Sequence, residues 1–177
     1  CALPISQAHL KVIRALASKQ KGLTRSEIVQ LTRLKEGGGL TNTLEELQHS
    51  GFITVYLPFG KKKKEGLYRL TDEFSLFHLQ FMENSRLVGK NSWQQLSQTQ
   101  AYTSWVGYAF ESICLKHLPQ IKKALGISGV YATASSFFRK GTDEDEGMQF
   151  DLLIDRADHV INICEIKFYQ AEYVIDK

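Results

Sequence analysis

The 177-residue chain predicts an α+β protein of two consecutive units. The first is three helices closed by a β-hairpin, and the second is a long helix followed by three strands. Three observations predict it. Apolar residues recur at helical spacing through about residue 50, then alternate as in strands on either side of a lysine-rich turn. Residues 148–168, MQFDLLIDRADHVINICEIKF, read as two strands joined by a short turn. The charge is also divided unevenly. Through Asp72 there are twelve Lys and Arg against six acids, net +6, whereas from Glu73 onward ten face thirteen, net −3. Such a division is expected of two domains with different partners. The expected boundaries are 1–72, a linker helix over 73–87, and a second domain over 88–177.

Each N-terminal element has a local reason. AHLKVIRALAS, residues 8–18, places Leu10, Ile13, Leu16 and Ala17 on one helical face, and Gly22 closes that region. Thr24 caps a second helix, with Glu27 three residues on as in a capping box, over Ile28, Val29 and Leu31. After the loop LKEGGG, a third helix begins at Thr41 or a neighbour, with Leu44 and Leu47 inward and Gly51 as a left-handed stop. FITVYLPF then alternates as a strand, Lys61, Lys62, Lys63, Lys64, Glu65 and Gly66 form a turn, and LYRLTD returns.

Residues 73–87, with Phe74, Phe77, Leu79 and Phe81, read as a part-buried helix joining the domains, and His78 as a core-edge residue. A long amphipathic helix follows, its apolar face carrying Trp105, Tyr108, Ala109, Ile113, Leu115 and Leu118, ending before Gly126. His117 sits where its charge offsets the helix dipole. VYATASSFFRK reads as the first strand of the second domain. Asp143 to Glu146 form an acidic turn that lacks the alternating ligands and distal glutamate of a calcium loop.

Side chains two apart on a strand share a face, so Glu165 and Lys167 project together while Cys164, Ile166 and Phe168 face a core. A turn centred on Asp158 sets Asp151 opposite Glu165. A centre half a residue earlier sets it opposite Cys164, because a one-residue slip flips the face. Both registers are open at this level. Glu165 and Lys167 also fit a solvated charge pair on a half-exposed hairpin, and Lys61 to Lys64 fit a solvated turn that discourages edge pairing.

Composition excludes several classes. No apolar run approaches a membrane span. The start, CALPISQAHL, has no secretory pattern. Cys1, Cys114 and Cys164 are too few and scattered for a disulfide framework or zinc cluster, and the latter two read as small core residues in a reducing cytoplasm. There is no GxxxxGK(S/T) phosphate loop. The chain reads as a fragment, beginning at Cys1 and ending at Lys177 just as a helix starts.

Three helices and a hairpin, with LTRSEI, GGGLTNTLEELQHSGFI and YRLTD, resemble a winged helix-turn-helix. That resemblance implies DNA contact through Gly39, Thr41, Asn42 and Thr43 on the third helix, and through Lys61 to Lys64 along phosphates. Asp151 on one strand with Glu165 and Lys167 on the next resembles the PD-(D/E)xK nuclease superfamily. This implies a restriction-endonuclease-like αβββα domain, cut short at its C-terminus. It further implies Mg²⁺ or Mn²⁺ on Asp151, Glu165 and the carbonyl of Ile166, with Lys167 holding the attacking water or balancing phosphate charge. Glu111 on the long helix completes the metal site in that reading, while a surface salt bridge is its other account. Together with GYAFE, QFDLLIDR and CEIKF, the whole resembles the C-terminal region of a family of archaeal and bacterial AAA-type ATPases, whose motif falls on Glu111, Gln149, Asp151, Asp155, Glu165 and Lys167. Family membership implies ATP binding only in a preceding domain of the same polypeptide, and DNA as a partner. An endonuclease in its own right, and a regulatory platform on an inactive nuclease fold, are the rival readings.

Overall fold

The computed structural model describes residues 5–83, 91–139, 141–142, 146–169 and 171–172. Expectations for Cys1, for the linker helix over 84–87, for the acidic turn at 143–145, for the Lys63 side chain and for a C-terminal helix lie outside the described residues. The chain divides into two compact units, Cys1–Val88 and Gly89–Lys177. Among the described residues it is a mixed α+β protein with seven α-helices and two small antiparallel sheets.

The first unit opens with α1 (Gln7–Ala17), α2 (Arg25–Thr32) and α3 (Gly38–His49), followed by β1 (Ile53–Tyr56) and β2 (Leu67–Leu70). The α1 cap departs from the usual sequence signature. Ser6 Oγ accepts from the His9 amide, and the His9 ring accepts the Ser6 N–H at 3.0 Å, so a histidine fills the place usually taken by Glu or Gln. Thr24 and Glu27 form the expected box on α2, Glu27 Oε2 accepting the Thr24 N–H at 2.7 Å. The α3 helix begins at Gly38 rather than at Thr41. Glycines are poor helix formers, but Leu40 is only 3% exposed, and burying it offsets the cost of ordering them.

β1 and β2 pair antiparallel, Ile53 against Leu70 and Tyr56 against Leu67. Leu23 adds an isolated bridge to Tyr68, its N–H donating to Tyr68 O at 2.9 Å and its carbonyl accepting from Tyr68 N at 2.8 Å. This works only because Gly22 turns the chain at φ 97°. Val12, Leu16, Leu23, Ile28, Leu44 and Ile53 are buried between helices and hairpin. Each such side chain stabilises by about 1.5–3 kcal/mol. Beyond the hairpin, Asp72 caps α4 (Glu73–Phe77) by accepting the Ser75 N–H at 2.7 Å, and a π-helical turn continues over His78–Met82. Leu76 is inward, but Phe74, expected on the packed side, is 67% exposed. Arg14 of α1 pairs with Glu83, which ties this helical segment to the first unit.

The second unit holds α5 (Ser92–Ser97), α6 (Gln100–Lys116) and α7 (Leu118–Ala124), then β3 (Ala132–Arg139), β4 (Met148–Arg156) and β5 (Ile161–Cys164). The single long helix expected here is broken at His117, which caps α7 with Pro119 in its first turn, the position proline tolerates. Ile113, expected on the apolar face, is 44% exposed. The sheet order is β3-β4-β5, all antiparallel. Ile127, Leu152 and Ile154 form its buried centre, with Leu115, Leu118, Ile121, Val130, Ala132, Cys164 and Ile166 packed around them.

Candidate functional site

Of the two registers open to the β4–β5 hairpin, the protein adopts the one centred on Asp158. Leu152 faces Cys164, Leu153 faces Ile163 and Asp155 faces Ile161. The turn is clamped by Arg156, which bonds Asp158 beside it and Asn162 at 3.4 Å. Hydrogen bonding from Arg156 holds the Asp158 carboxyl below its ordinary value. Continued one step beyond the last ladder pair, Leu152 and Cys164, this register would set Asp151 opposite Glu165.

The strand itself is shorter than expected. β5 ends at Cys164, so Glu165, Ile166, Lys167 and Phe168 form an extension without ladder pairing. The extension is held by a side chain: Asp151 Oδ2 accepts the Ile166 N–H at 2.9 Å. Its other oxygen meets Gln149 Nε2 at 3.4 Å. Glu165 and Lys167 do project together, as alternation predicts, and their charged ends pair at 2.5 Å. Both are exposed and Asp151 is half-buried.

Asp151 also occupies an irregular point of the sheet. Ser135 pairs with Leu153 and Phe137 with Phe150, so Ser136 alone spans the two residues Asp151 and Leu152. That is a β-bulge on β4, a device that bends a strand and re-aims a side chain. Leu152, Leu153 and Ile154, which follow Asp151, are all buried rather than alternating.

Glu111 is half-buried on α6. It does not join Asp151 and Glu165 in a three-acid group: among the described residues no three His, Cys, Asp or Glu gather where they could hold a metal ion. Burial of Cys114 raises its thiol pKa, and the negative charge of Glu111 adds to that rise. Burial alone raises that of Cys164. Asp151 and Glu165 are both carboxylates, and hard divalent ions commonly bind one or two carboxylates together with water and phosphate.

In the first unit the expected reading residues divide. Gly39 and Asn42 are exposed at the start of α3. Thr41 is half-buried, its hydroxyl accepting from Arg25 Nη2 at 3.0 Å and donating to Gly37 O at 3.2 Å. Thr43 is 8% exposed and its hydroxyl donates to Gly39 O at 2.9 Å, which turns it away from any ligand on that face. The reason is helical phase: Thr43 lies beside Leu40, Leu44 and Leu47 on the buried stripe. Arg25, which no motif singles out, ties α2 to the α3 entrance through Thr41, the Gly37 carbonyl and Glu36. Lys61, Lys62 and Lys64 are exposed around a short 3-10 turn, Lys63–Glu65. Glu65 pairs with Lys61 at 3.2 Å and accepts the Lys62 N–H at 3.0 Å, and those bonds lower its pKa.

The chain matches no protein-family model, no curated protein and no solved structure. No helix among the described residues is long and apolar enough to cross a membrane.

Proposed function

We propose that this chain is a DNA-associated module in which a winged helix-turn-helix precedes a nuclease-like domain. It would act beside an ATP-binding domain of the same polypeptide, as the resemblance to AAA-type ATPases implies. The observation that carries the reading is the register of β4 and β5, which ends at Leu152 and Cys164, followed by the bond from the Ile166 amide to Asp151 and the pairing of Lys167 with Glu165. Asp151 and Glu165 would hold Mg²⁺ or Mn²⁺. The ion would polarise a phosphoryl oxygen and lower the pKa of a bound water. Asp151 holds the extension through the Ile166 amide, next in the chain to Glu165. Lys167 offsets the charge of Glu165 until a phosphate draws it away.

The first unit supports the DNA half of the reading. Helix, bridge, two helices and a hairpin follow one another in winged-helix order, with Asn42 exposed on the third helix and lysines at the hairpin tip. A second reading, an inactive scaffold, is favoured by the Glu165–Lys167 pair and the lack of a third acid among the described residues.

Supercoiled plasmid incubated with Mn²⁺ separates the two. The parent should nick it and Lys167→Met should not, with the fold of the variant unchanged because Lys167 is exposed. Plasmid bound but uncut by the parent would select the scaffold. Plasmid neither bound nor cut would end the DNA reading. Replacing Lys61 to Lys64 with alanine should weaken binding about equally across sequences, and should flatten the salt slope by about 0.9 for each phosphate the hairpin no longer neutralises. An unchanged slope would remove the hairpin from the interface.

A further inference from the structure

The helices of the second unit cover one face of its sheet, where Leu152 and Ile154 pack with Leu115, Leu118 and Ile121. Side chains directly across a ladder share a face. The opposite face therefore carries Leu153 and Asp155 of β4, Ser135 and Thr133 of β3, and Ile163 and Ile161 of β5. An antiparallel sheet open to water on one side alternates, apolar inward and polar outward. β4 does not, because Leu152, Leu153 and Ile154 are all buried. Such a run belongs to a strand that is covered on both sides. Beside Leu153, however, Ile163 and Ile161 on the edge strand are exposed by 60% and 46%. Asp155, across from Ile161, is half-buried and makes no hydrogen bond or ion pair among the described residues. Its neighbours on this face, Thr133, Ser135, Leu153, Ile161 and Ile163, are uncharged.

The shape and the charge of this face select what covers it. Three strands about 4.8 Å apart span about 10 Å, the width of one α-helix. A carboxylate at the margin of a drying apolar surface needs a cation there, since burying it unpaired is costly. Two copies packed face to face would bury two Asp155 carboxylates and supply no cation. We propose that this face docks an amphipathic helix of a partner polypeptide. Its apolar stripe lies on Leu153, Ile161 and Ile163, and a lysine or arginine pairs with Asp155. The inference is independent of the DNA reading.

The test uses the full chain and two labelled peptides of about 14 residues, or four helical turns, built from leucine with lysine or from leucine with glutamate. Fluorescence anisotropy should show the lysine peptide bound and the glutamate peptide free at the same concentrations. Asp155→Asn, which keeps the size of the side chain, should weaken the lysine peptide by about 5- to 30-fold. Ile163→Ser removes apolar contact and no charge, so a similar loss there separates docking from general attraction between opposite charges. Asp155→Lys should exchange the preference in favour of the glutamate peptide. Unchanged tryptophan fluorescence establishes that each variant keeps the second unit folded, and Asp155→Asn with Ile163→Ser carries the test where Asp155→Lys does not fold. Equal binding of the two peptides, no binding of the lysine peptide, or binding that Asp155→Asn and Ile163→Ser leave intact would overturn the inference. A dimer of the parent that Ile163→Ser dissociates in sedimentation would also overturn it, by giving the face to a second copy.

Discussion

Asp151→Ala tests whether the carboxylate organises the acidic site or merely repels its neighbour. Two carboxylates brought together raise each other's pKa unless a cation intervenes, so on sequence grounds removal of one should stabilise the metal-free protein. The structure reverses that sign. Glu165 has Lys167 at 2.5 Å, while Asp151 is the acceptor for the Ile166 amide at 2.9 Å. A hydrogen bond to a charged group contributes about 1.5–3 kcal/mol, and half-burial of Asp151 places the loss near the lower end, about 1.5 kcal/mol. For a domain of about this size that corresponds to a melting shift of roughly 6–12 °C. Asp151→Asn keeps one carbonyl acceptor and should cost about half as much. The assay is direct, because both tryptophans, Trp93 and Trp105, lie in the second unit, so urea titration followed by tryptophan fluorescence reports that unit alone. A variant as stable as the parent, or more stable, would refute the claim that Asp151 pins the extension. Calorimetry with Mn²⁺ on the same proteins should show weaker binding in both variants.

Other expectations rest on single contacts. Gly22→Ala should destabilise the first unit by about 2–4 kcal/mol, read from its own denaturation transition. The added Cβ would lie 2.8 Å from both the Tyr68 carbonyl and Arg69 Cγ, at a φ of 97°. Cys114 and Cys164 should resist iodoacetamide near neutral pH in the folded protein and react on unfolding, because burial raises both thiols above their ordinary value and leaves little thiolate. Fast labelling of the native state, read by mass spectrometry, would contradict their packing. Glu27 has its pKa lowered by Lys19, with which it pairs at 2.6 Å, and by the Thr24 amide. A depressed carboxyl pKa stabilises above the ordinary glutamate range and loses that contribution as pH falls through the folded value. Glu27→Gln should therefore flatten the acid limb of the first unit's stability profile, and a limb of unchanged slope would assign it to other groups.

What the sequence determined by itself was local. The Thr24–Glu27 cap, the left-handed Gly51, the presence of strands β1 and β4 and the shared projection of Glu165 and Lys167 depend on neighbours within a few residues, which sequence spacing encodes directly. Boundaries and availability were decided by packing. Burial of Leu40 drew α3 back to Gly38, helical phase turned Thr43 inward, and His9, a polar residue on no motif, became 94% buried as a cap whose Nε2 meets Glu46 at 2.8 Å. The acidic site shows the division most clearly. Its residue types and spacing are in the chain, but the register that opposes Asp151 to Glu165 was one of two the pattern allowed. The bulge at Asp151 and Leu152 and the end of β5 at Cys164 arise from how the strands pair. Pairing energies are set by contacts between residues distant in sequence, so only the assembled sheet could select among registers that alternation leaves equivalent.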